Sequence, residues 1–189
     1  MRRISKKITV GKIAIGGSVK IAVQSMLNAR YDDIEGNVAQ AKRLAEVGCD
    51  IIRIAVPNTE AIKTLAAVKA ACDLPLVADI HFDYKLAVES VFAGADKIRI
   101  NPGNIGSESR VAELARAAKN RGVPIRIGVN AGSLPRSLVD TYGPTSRAMV
   151  EAALWHVGLL EKAGFDQIVV SMKASEVART VEAYVMLAE

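Results

Sequence analysis

The chain has 189 residues, of which 50% are hydrophobic and only 4% aromatic, and its formal net charge is +5 at pH 7. This length suits one domain with a sizeable core, and the abundance of Ala, Val and Ile favours a layered α/β protein over an all-β sandwich. The basic residues are scattered and few aromatic side chains could stack on bases, so we do not expect nucleic-acid binding. The apolar runs are too short to span a membrane and the basic start lacks a signal-peptide core, so the expected location is cytoplasmic.

The first segment, residues 1–20, is predicted to be an extension that contains a short β-hairpin, since residues 8–20 alternate weakly around Gly11 and Gly16-Gly17. Strand and helix patterns then alternate over residues 21–189, which we expect to form one substrate-binding domain. Strands are predicted near residues 21–26, 51–56, 75–80, 96–100, 124–129 and 167–172. Helices are predicted near residues 35–47, 59–71, 84–93, 107–120, 145–163 and 174–188. Asn58 and Ser107 are expected N-caps.

A Gly-x-Asp motif recurs at the junction between a helix and the next strand. It occurs as Gly48-Cys49-Asp50, Gly94-Ala95-Asp96 and Gly164-Phe165-Asp166. Glycine can adopt the left-handed conformation that ends a helix. A unit that repeats as helix, Gly-x-Asp and strand is typical of the βα repeat of a parallel sheet.

The two faces of the predicted strands differ in character. One face is apolar and must pack on helices. The other face carries, at period two, Gln24, Arg53, Asp79, His81, Arg99, Asn101, Arg126, Asn130, Ser171 and Lys173. A doubly wound sheet buries both faces and should be apolar on both, whereas a barrel has helices outside and a lumen that opens on a site. The fold class is therefore predicted as α/β, a parallel βα barrel of the TIM type.

The number of repeats falls short of a closed barrel. About six βα units are recognisable in this chain, whereas such a barrel needs about eight units in about 250 residues. The expectation is a barrel completed by something else, or a piece of a longer protein.

Three predicted strands carry an arginine among β-branched residues, at Arg53, Arg99 and Arg126. An arginine in a buried strand costs several kcal/mol unless an anion meets it, and Lys173 adds a fourth cation at the same end of the sheet. With Asp79 as the one acid on this face, about three positive charges remain in excess. Arginine binds phosphate oxygens with two parallel hydrogen bonds, so a diphosphate or bisphosphate ligand is expected.

His81 lies two residues after Asp79 on the same face. We interpret His81 as an acid, base or hydrogen-bond donor to substrate that Asp79 orients, which makes both residues candidate catalytic groups.

The loop at residues 101–106 leaves a strand and enters a helix. Its glycines could expose backbone N–H groups to an anion, although an ordinary turn explains the same sequence equally well. Lys97 also points inward, but it begins its strand and is interpreted as structural.

Several of these segments together resemble one family, 4-hydroxy-3-methylbut-2-enyl diphosphate synthase, over essentially the whole chain. The matching segments are Gln24-Ser25-Met26, Ala78-Asp79-Ile80-His81-Phe82, Arg99-Ile100-Asn101-Pro102-Gly103-Asn104, Arg126-Ile127-Gly128-Val129-Asn130 and Ser171-Met172-Lys173-Ala174-Ser175. The resemblance implies a reductive oxidoreductase of the methylerythritol phosphate route to isoprenoids. It implies 2-C-methyl-D-erythritol 2,4-cyclodiphosphate as substrate, held by Arg53, Arg99, Arg126 and Lys173, with His81 and Asn130 among the polar groups on the substrate side.

The resemblance also implies parts that this sequence lacks. In the family, a further domain supplies three cysteines and a glutamate to a [4Fe-4S] cluster, ferredoxin or flavodoxin donates electrons, and the complete enzyme is a homodimer. Cys49 and Cys72 do not match the cluster ligands; they are interpreted as buried hydrophobes, and no metal or cofactor is expected on this chain. The expected chain is the N-terminal, substrate-binding part, inactive by itself.

Two other functions fit the residues. One is a barrel enzyme that binds a phosphorylated ligand without a cluster, similar to a pterin-condensing synthase. The other is a non-catalytic module that binds an anionic partner in its basic lumen.

Overall fold

A computed structural model describes residues 4–101 and 108–189. The strands are β1 (Ile8–Val10), β2 (Ile13–Ile15), β3 (Gln24–Met26), β4 (Ile51–Ala55), β5 (Leu76–Ile80), β6 (Lys97–Ile100), β7 (Ile125–Asn130) and β8 (Ile168–Lys173). The helices are α1 (Ile34–Glu46), α2 (Thr59–Ala71), α3 (Tyr84–Phe92), α4 (Glu108–Arg121), α5 (Arg136–Tyr142), α6 (Ser146–Lys162) and α7 (Val177–Ala188).

The main sheet has six strands in the order β3-β4-β5-β6-β7-β8, and every neighbouring pair is parallel. Strand order follows chain order without a reversal, as it does in a βα barrel and does not in a doubly wound sheet. The predicted fold class is confirmed, and so is the number of strands.

The helix boundaries follow local signals in the sequence. Asn58 caps α2, because its side chain accepts a hydrogen bond from the Ala61 N–H at 3.1 Å. The three Gly-x-Asp glycines, Gly48, Gly94 and Gly164, have φ angles of 81°, 100° and 69°, which a side chain would disfavour. The predicted cap Ser107 lies outside the described residues.

The apolar core lies between the sheet and its helices. Outward side chains such as Ile54, Ile98 and Ile127 are buried there. The strand predicted near residues 21–26 was expected to bury its apolar face, which includes Ile21 and Val23, and this was wrong, since they are 71% and 57% exposed. The reason is that β3 begins only at Gln24 and forms an edge of the described sheet, so Ile21 and Val23 precede the strand and lie at the sheet margin.

The predicted N-terminal hairpin is present as β1 and β2, which pair antiparallel. Val10 of this hairpin joins Ile51 and Val77 in a small buried cluster at the amino ends of β4 and β5. The hairpin therefore packs on the end of the sheet opposite to the one where the arginine strands finish.

Helix α5 was not predicted from the sequence. It spans seven residues and buries none of them, so the apolar periodicity on which a helix prediction depends is absent. Within the described part of the chain, every helix is too short or too polar to cross a membrane.

Candidate functional site

The sheet register aligns the charged residues of neighbouring strands. Asp79 on β5 pairs with Arg99 on β6, which in turn pairs with Arg126 on β7. Paired residues of parallel strands point to the same face. One acid and two arginines therefore lie side by side on the inner face of the sheet.

Asp79 is the shared acceptor of two guanidinium groups. Its carboxylate is 1% exposed; Arg53 Nη2 donates to Oδ2, and Arg99 Nη1 donates to Oδ1 at 3.0 Å. His81 Nε2 is 3.4 Å from Oδ2, beyond the usual hydrogen-bond range. The carboxylate thus holds the arginines more closely than it holds His81, which differs from the expected Asp79–His81 pair.

Arg99 lies across the neighbouring strand at a position that lacks a side chain. Its Nη2 donates to the carbonyl of Gly128 at 3.1 Å, and a Cβ built on Gly128 would lie 2.4 Å from Arg99 Nε. Glycine is therefore needed for Arg99 to keep this position. Gly128 is a site residue that was not among the predicted ones.

Arg126 is held by a neutral partner. Its Nε donates to the Ser171 hydroxyl at 2.8 Å, and burial lowers the pKa of its guanidinium, as does the nearby Arg53. Within residues 4–101 and 108–189, neither Arg126 nor Lys173 forms an ion pair with a carboxylate. These two cations remain available to an anionic ligand.

A cavity of about 320 Å³ opens at the carboxyl ends of the strands. Its lining contains eight of the ten predicted site residues together with Gly128 and Val129, namely Arg53, His81, Arg99, Asn101, Arg126, Asn130, Ser171 and Lys173. Asp79 lies buried beneath it. We call this space the arginine cavity.

Two amides at the arginine cavity are engaged by protein groups. Asn101 Nδ2 donates to the Ser133 hydroxyl at 3.2 Å, and Asn130 Oδ1 accepts from the Gly132 N–H at 3.4 Å. The first contact ties the end of β6 to the 3-10 turn at Ala131–Ser133, and the second ties the end of β7 to that turn. Ser133 was not predicted from the sequence.

Two predictions fall elsewhere. Gln24 lines a different cavity, near the hairpin, together with Lys97. Residues 102–106 of the proposed anion-binding loop lie outside the described residues.

The described residues do not fit an iron–sulfur cluster. Cys49 and Cys72 are both buried, and their thiols lie against backbone carbonyls. Residues 4–101 and 108–189 hold no group of three His, Cys, Asp or Glu side chains that could bind a metal ion.

The fold and the cavity together define a class: a parallel βα-barrel domain with a basic pocket at the carboxyl ends of its strands. Residues 5–189 match the family model described as the GcpE TIM-barrel domain, and the chain belongs to that family.

Curated relatives agree with this family. The chain is 54% identical over 185 residues to 4-hydroxy-3-methylbut-2-en-1-yl diphosphate synthase (flavodoxin) of Caldanaerobacter subterraneus subsp. tengcongensis, covering 97% of this chain and 52% of the relative. It is 50% identical over 184 residues to the protein of the same name from Bacillus pumilus, covering 97% of this chain and 50% of the relative. The chain thus spans about half the length of the curated relatives it matches.

Solved structures of similar shape support the fold. The 7,8-dihydropteroate synthase of Vibrio fischeri superimposes with a TM-score of 0.66 at 16% identity, covering 98% of this chain and 73% of that one. The dihydropteroate synthase of Xanthomonas albilineans gives a TM-score of 0.60 at 22% identity, covering 96% and 71% of the two chains. At these identities the likeness concerns the fold alone.

Proposed function

We propose that this chain is the substrate-binding part of a 4-hydroxy-3-methylbut-2-en-1-yl diphosphate synthase. The arginine cavity would hold the diphosphate of 2-C-methyl-D-erythritol 2,4-cyclodiphosphate, which the whole enzyme opens reductively with loss of water in isoprenoid biosynthesis. The supporting observation is the cavity itself, where four cations from four strands converge and a single buried carboxylate pairs with only two of them.

The charge of the cavity fits a diphosphate. Arg53, Arg99, Arg126 and Lys173 supply four positive charges and Asp79 one negative charge, which leaves a net charge of +3 with His81 neutral. A diphosphate offsets that excess, and its oxygens match the planar donors of arginine.

The residues divide into two roles in this proposal. Arg126 and Lys173 bind the diphosphate directly. Arg53 and Arg99 bind it with the donors that Asp79 leaves free, while Asp79 fixes their positions. His81, at the cavity wall and 41% exposed at its side chain, donates a hydrogen bond or a proton to the substrate.

The polar side chains Asn101, Asn130 and Ser171 complete the binding surface. Asn101 and Asn130 fix the ends of β6 and β7, and Ser171 keeps the Arg126 guanidinium in place. Gln24 is omitted from this set because it lines the other cavity.

The remaining parts of the proposal concern the whole enzyme. The relatives' name includes flavodoxin, which favours flavodoxin over ferredoxin as the electron donor. A [4Fe-4S] cluster would be held by a domain beyond these 189 residues, in a cytoplasmic homodimer. In this scheme residues 1–20 are an extension, residues 21–189 bind substrate, and the chain by itself is inactive.

Isothermal titration calorimetry of this chain with the cyclic diphosphate tests the proposal. Replacing Arg126 with Ala should weaken binding by about 1.5–3 kcal/mol, the range for a lost hydrogen bond to a charged group. Arg116→Ala is the matched control, because Arg116 is an exposed arginine of α4 that faces away from the sheet core. An Arg126→Ala affinity equal to that of the control would contradict the site.

A further inference from the structure

Lys97 is a buried lysine that the proposed function does not use. It is the first residue of β6 and is only 3% exposed. Its side chain lines a cavity of about 220 Å³ beside the N-terminal hairpin, with Ile15, Gly16, Val19, Lys20, Ile21, Ala22, Gln24 and Ile51. We call this space the hairpin cavity; its lining has no residue in common with that of the arginine cavity.

The surroundings of Lys97 disfavour an ammonium ion. Six of the nine lining residues are apolar or glycine, and Val77 is the partner of Lys97 on β5. Arg53 from β4 and Arg126 from β7 act on Lys97 through space, and Lys20 lines the same cavity. Asp79, the acid on the inner face of β5, is paired with Arg53 and Arg99. The described lining contains no Asp or Glu.

Burial and these two arginines lower the pKa of Lys97 to about 8. At neutral to mildly alkaline pH a substantial fraction of its amine is therefore unprotonated and nucleophilic. Ordinary surface lysines, with pKa values of about 10.4, remain almost wholly protonated there.

We propose that Lys97 is a reactive amine that forms an imine with small carbonyl compounds bearing a carboxylate, such as glyoxylate. The lone pair of Nζ attacks the carbonyl carbon, the carbonyl oxygen leaves as water, and a C=N bond forms. The step needs no oxidant or reductant. It stands apart from the proposed diphosphate site and holds whether or not that site is correct.

The preference for an anionic carbonyl compound follows from charge. Lys20 in the cavity wall, with Arg53 and Arg126 nearby, makes the region positive and attracts a carboxylate. A two-carbon or three-carbon acid is small enough for the cavity. A neutral aldehyde of similar size gains nothing from these charges and should react more slowly.

Trapping with cyanoborohydride tests the proposal. The folded 189-residue chain is incubated with glyoxylate and cyanoborohydride, which reduces the imine to carboxymethyl-lysine, and the modified lysines are located by peptide mass spectrometry. At pH 8 Lys97 should be modified at least about tenfold faster than the exposed Lys42 of α1, given their different neutral fractions. The rate at Lys97 should be half-maximal near pH 8.

Three comparisons make the result decisive. Lys97→Met should remove this fast modification while circular dichroism shows an intact fold. Lys20→Met should slow modification of Lys97 by glyoxylate but not by propanal. If Lys97 in the folded chain is modified no faster than Lys42, or only after urea is added, the proposal is wrong. Binding of the cyclic diphosphate, measured separately, remains the test of the arginine cavity.

Discussion

Arg99 on β6 donates a hydrogen bond of 3.0 Å to the carboxylate of Asp79 on β5, and this pair lies almost wholly out of solvent, with side-chain exposures of 12% and 1%. Arg53 contacts the other oxygen of the same carboxylate. Since one buried acid serves two guanidinium groups, the loss of its charge leaves both without an anionic partner.

Asp79→Asn should therefore destabilise the fold. Removing one partner of a buried ion pair costs about 3–5 kcal/mol, and the partial exposure of Arg53 favours the lower end of this range. We expect the free energy of unfolding, measured by urea denaturation, to fall by about 3 kcal/mol. Added cyclic diphosphate should reduce this deficit, because its oxygens supply the missing negative charge.

The control for this substitution is Asp73→Asn. Asp73 is exposed, and within the described residues it forms no ion pair, so its replacement should change stability by no more than about 0.5 kcal/mol. If the two substitutions lower the free energy of unfolding equally, the Asp79 carboxylate does not offset the positive charge of the cavity.

Gly128→Ala should impair ligand binding through Arg99. The added Cβ would lie 2.4 Å from Arg99 Nε, so the guanidinium must move away from the carboxylate that fixes it. We expect diphosphate binding to weaken by about 1.5–3 kcal/mol, the value of a charged hydrogen bond. Calorimetric titration of the variant measures this loss.

Gly158→Ala is the matched control for that substitution. Gly158 lies inside α6, and a Cβ there meets no heavy atom within 4 Å. Replacing a glycine in a helix with alanine should stabilise the fold by about 0.5–1 kcal/mol and leave binding unchanged. If the Gly128→Ala variant binds the cyclic diphosphate as tightly as the wild-type chain, the close approach of Arg99 to Gly128 does not fix the position of Arg99.

Much of the site could be predicted because strands have a period of two. That period places Arg53, Arg99 and Arg126 on one face, and the repeated Gly-x-Asp motif gives the parallel order of their strands. Arg53 and Arg99 share Asp79 because of the register between neighbouring strands. The alternation of side chains along one strand carries no information about that register. Proximity in sequence therefore predicts that Asp79 pairs with His81, whereas two arginines from other strands lie closer to its carboxylate.

Other differences have local causes. Gln24 lies on the inner face of the sheet, as predicted. It is the first residue of β3, however, so its side chain lies at the hairpin end of the sheet. The close approach of Arg99 to Gly128 involves neighbouring strands and was likewise inaccessible from sequence.

Stability should depend on pH through Lys97. Its pKa is lowered to about 8 in the folded chain, whereas an unfolded lysine keeps a value near 10.5. Below pH 8 both states are protonated and the folded state bears the cost of the buried charge. Between the two values the unfolded state binds more protons, so stability rises with pH and the cost disappears above about 10.5.

The difference in unfolding free energy between the wild-type chain and Lys97→Met isolates this effect from the titration of other groups. We expect the variant to be more stable by up to about 3 kcal/mol below pH 8, with the contribution of the charge fading by about pH 10.5. Urea denaturation across that range measures the difference. A difference that does not vary with pH would mean that Lys97 is not desolvated in the folded chain.

The outer strands of the described sheet should promote self-association. β3 and β8 each pair with one strand only in the part of the chain that the structure describes, and an unpaired strand edge can pair with another molecule. Ile21 and Val23 add exposed apolar surface next to β3. We expect the apparent mass of the 189-residue chain, measured by size-exclusion chromatography with light scattering, to increase with concentration.

Val23→Lys tests whether the β3 edge is responsible. A lysine beside an open edge opposes pairing because the approaching strand would have to desolvate its charge, so association should weaken markedly. Leu154→Lys is the control, since Leu154 is also exposed, at 49%, but belongs to helix α6 and not to the segment that leads into β3. If the two lysine variants associate equally, the contact lies on another surface, and if the wild-type chain stays monomeric at all concentrations the open edges are protected in solution.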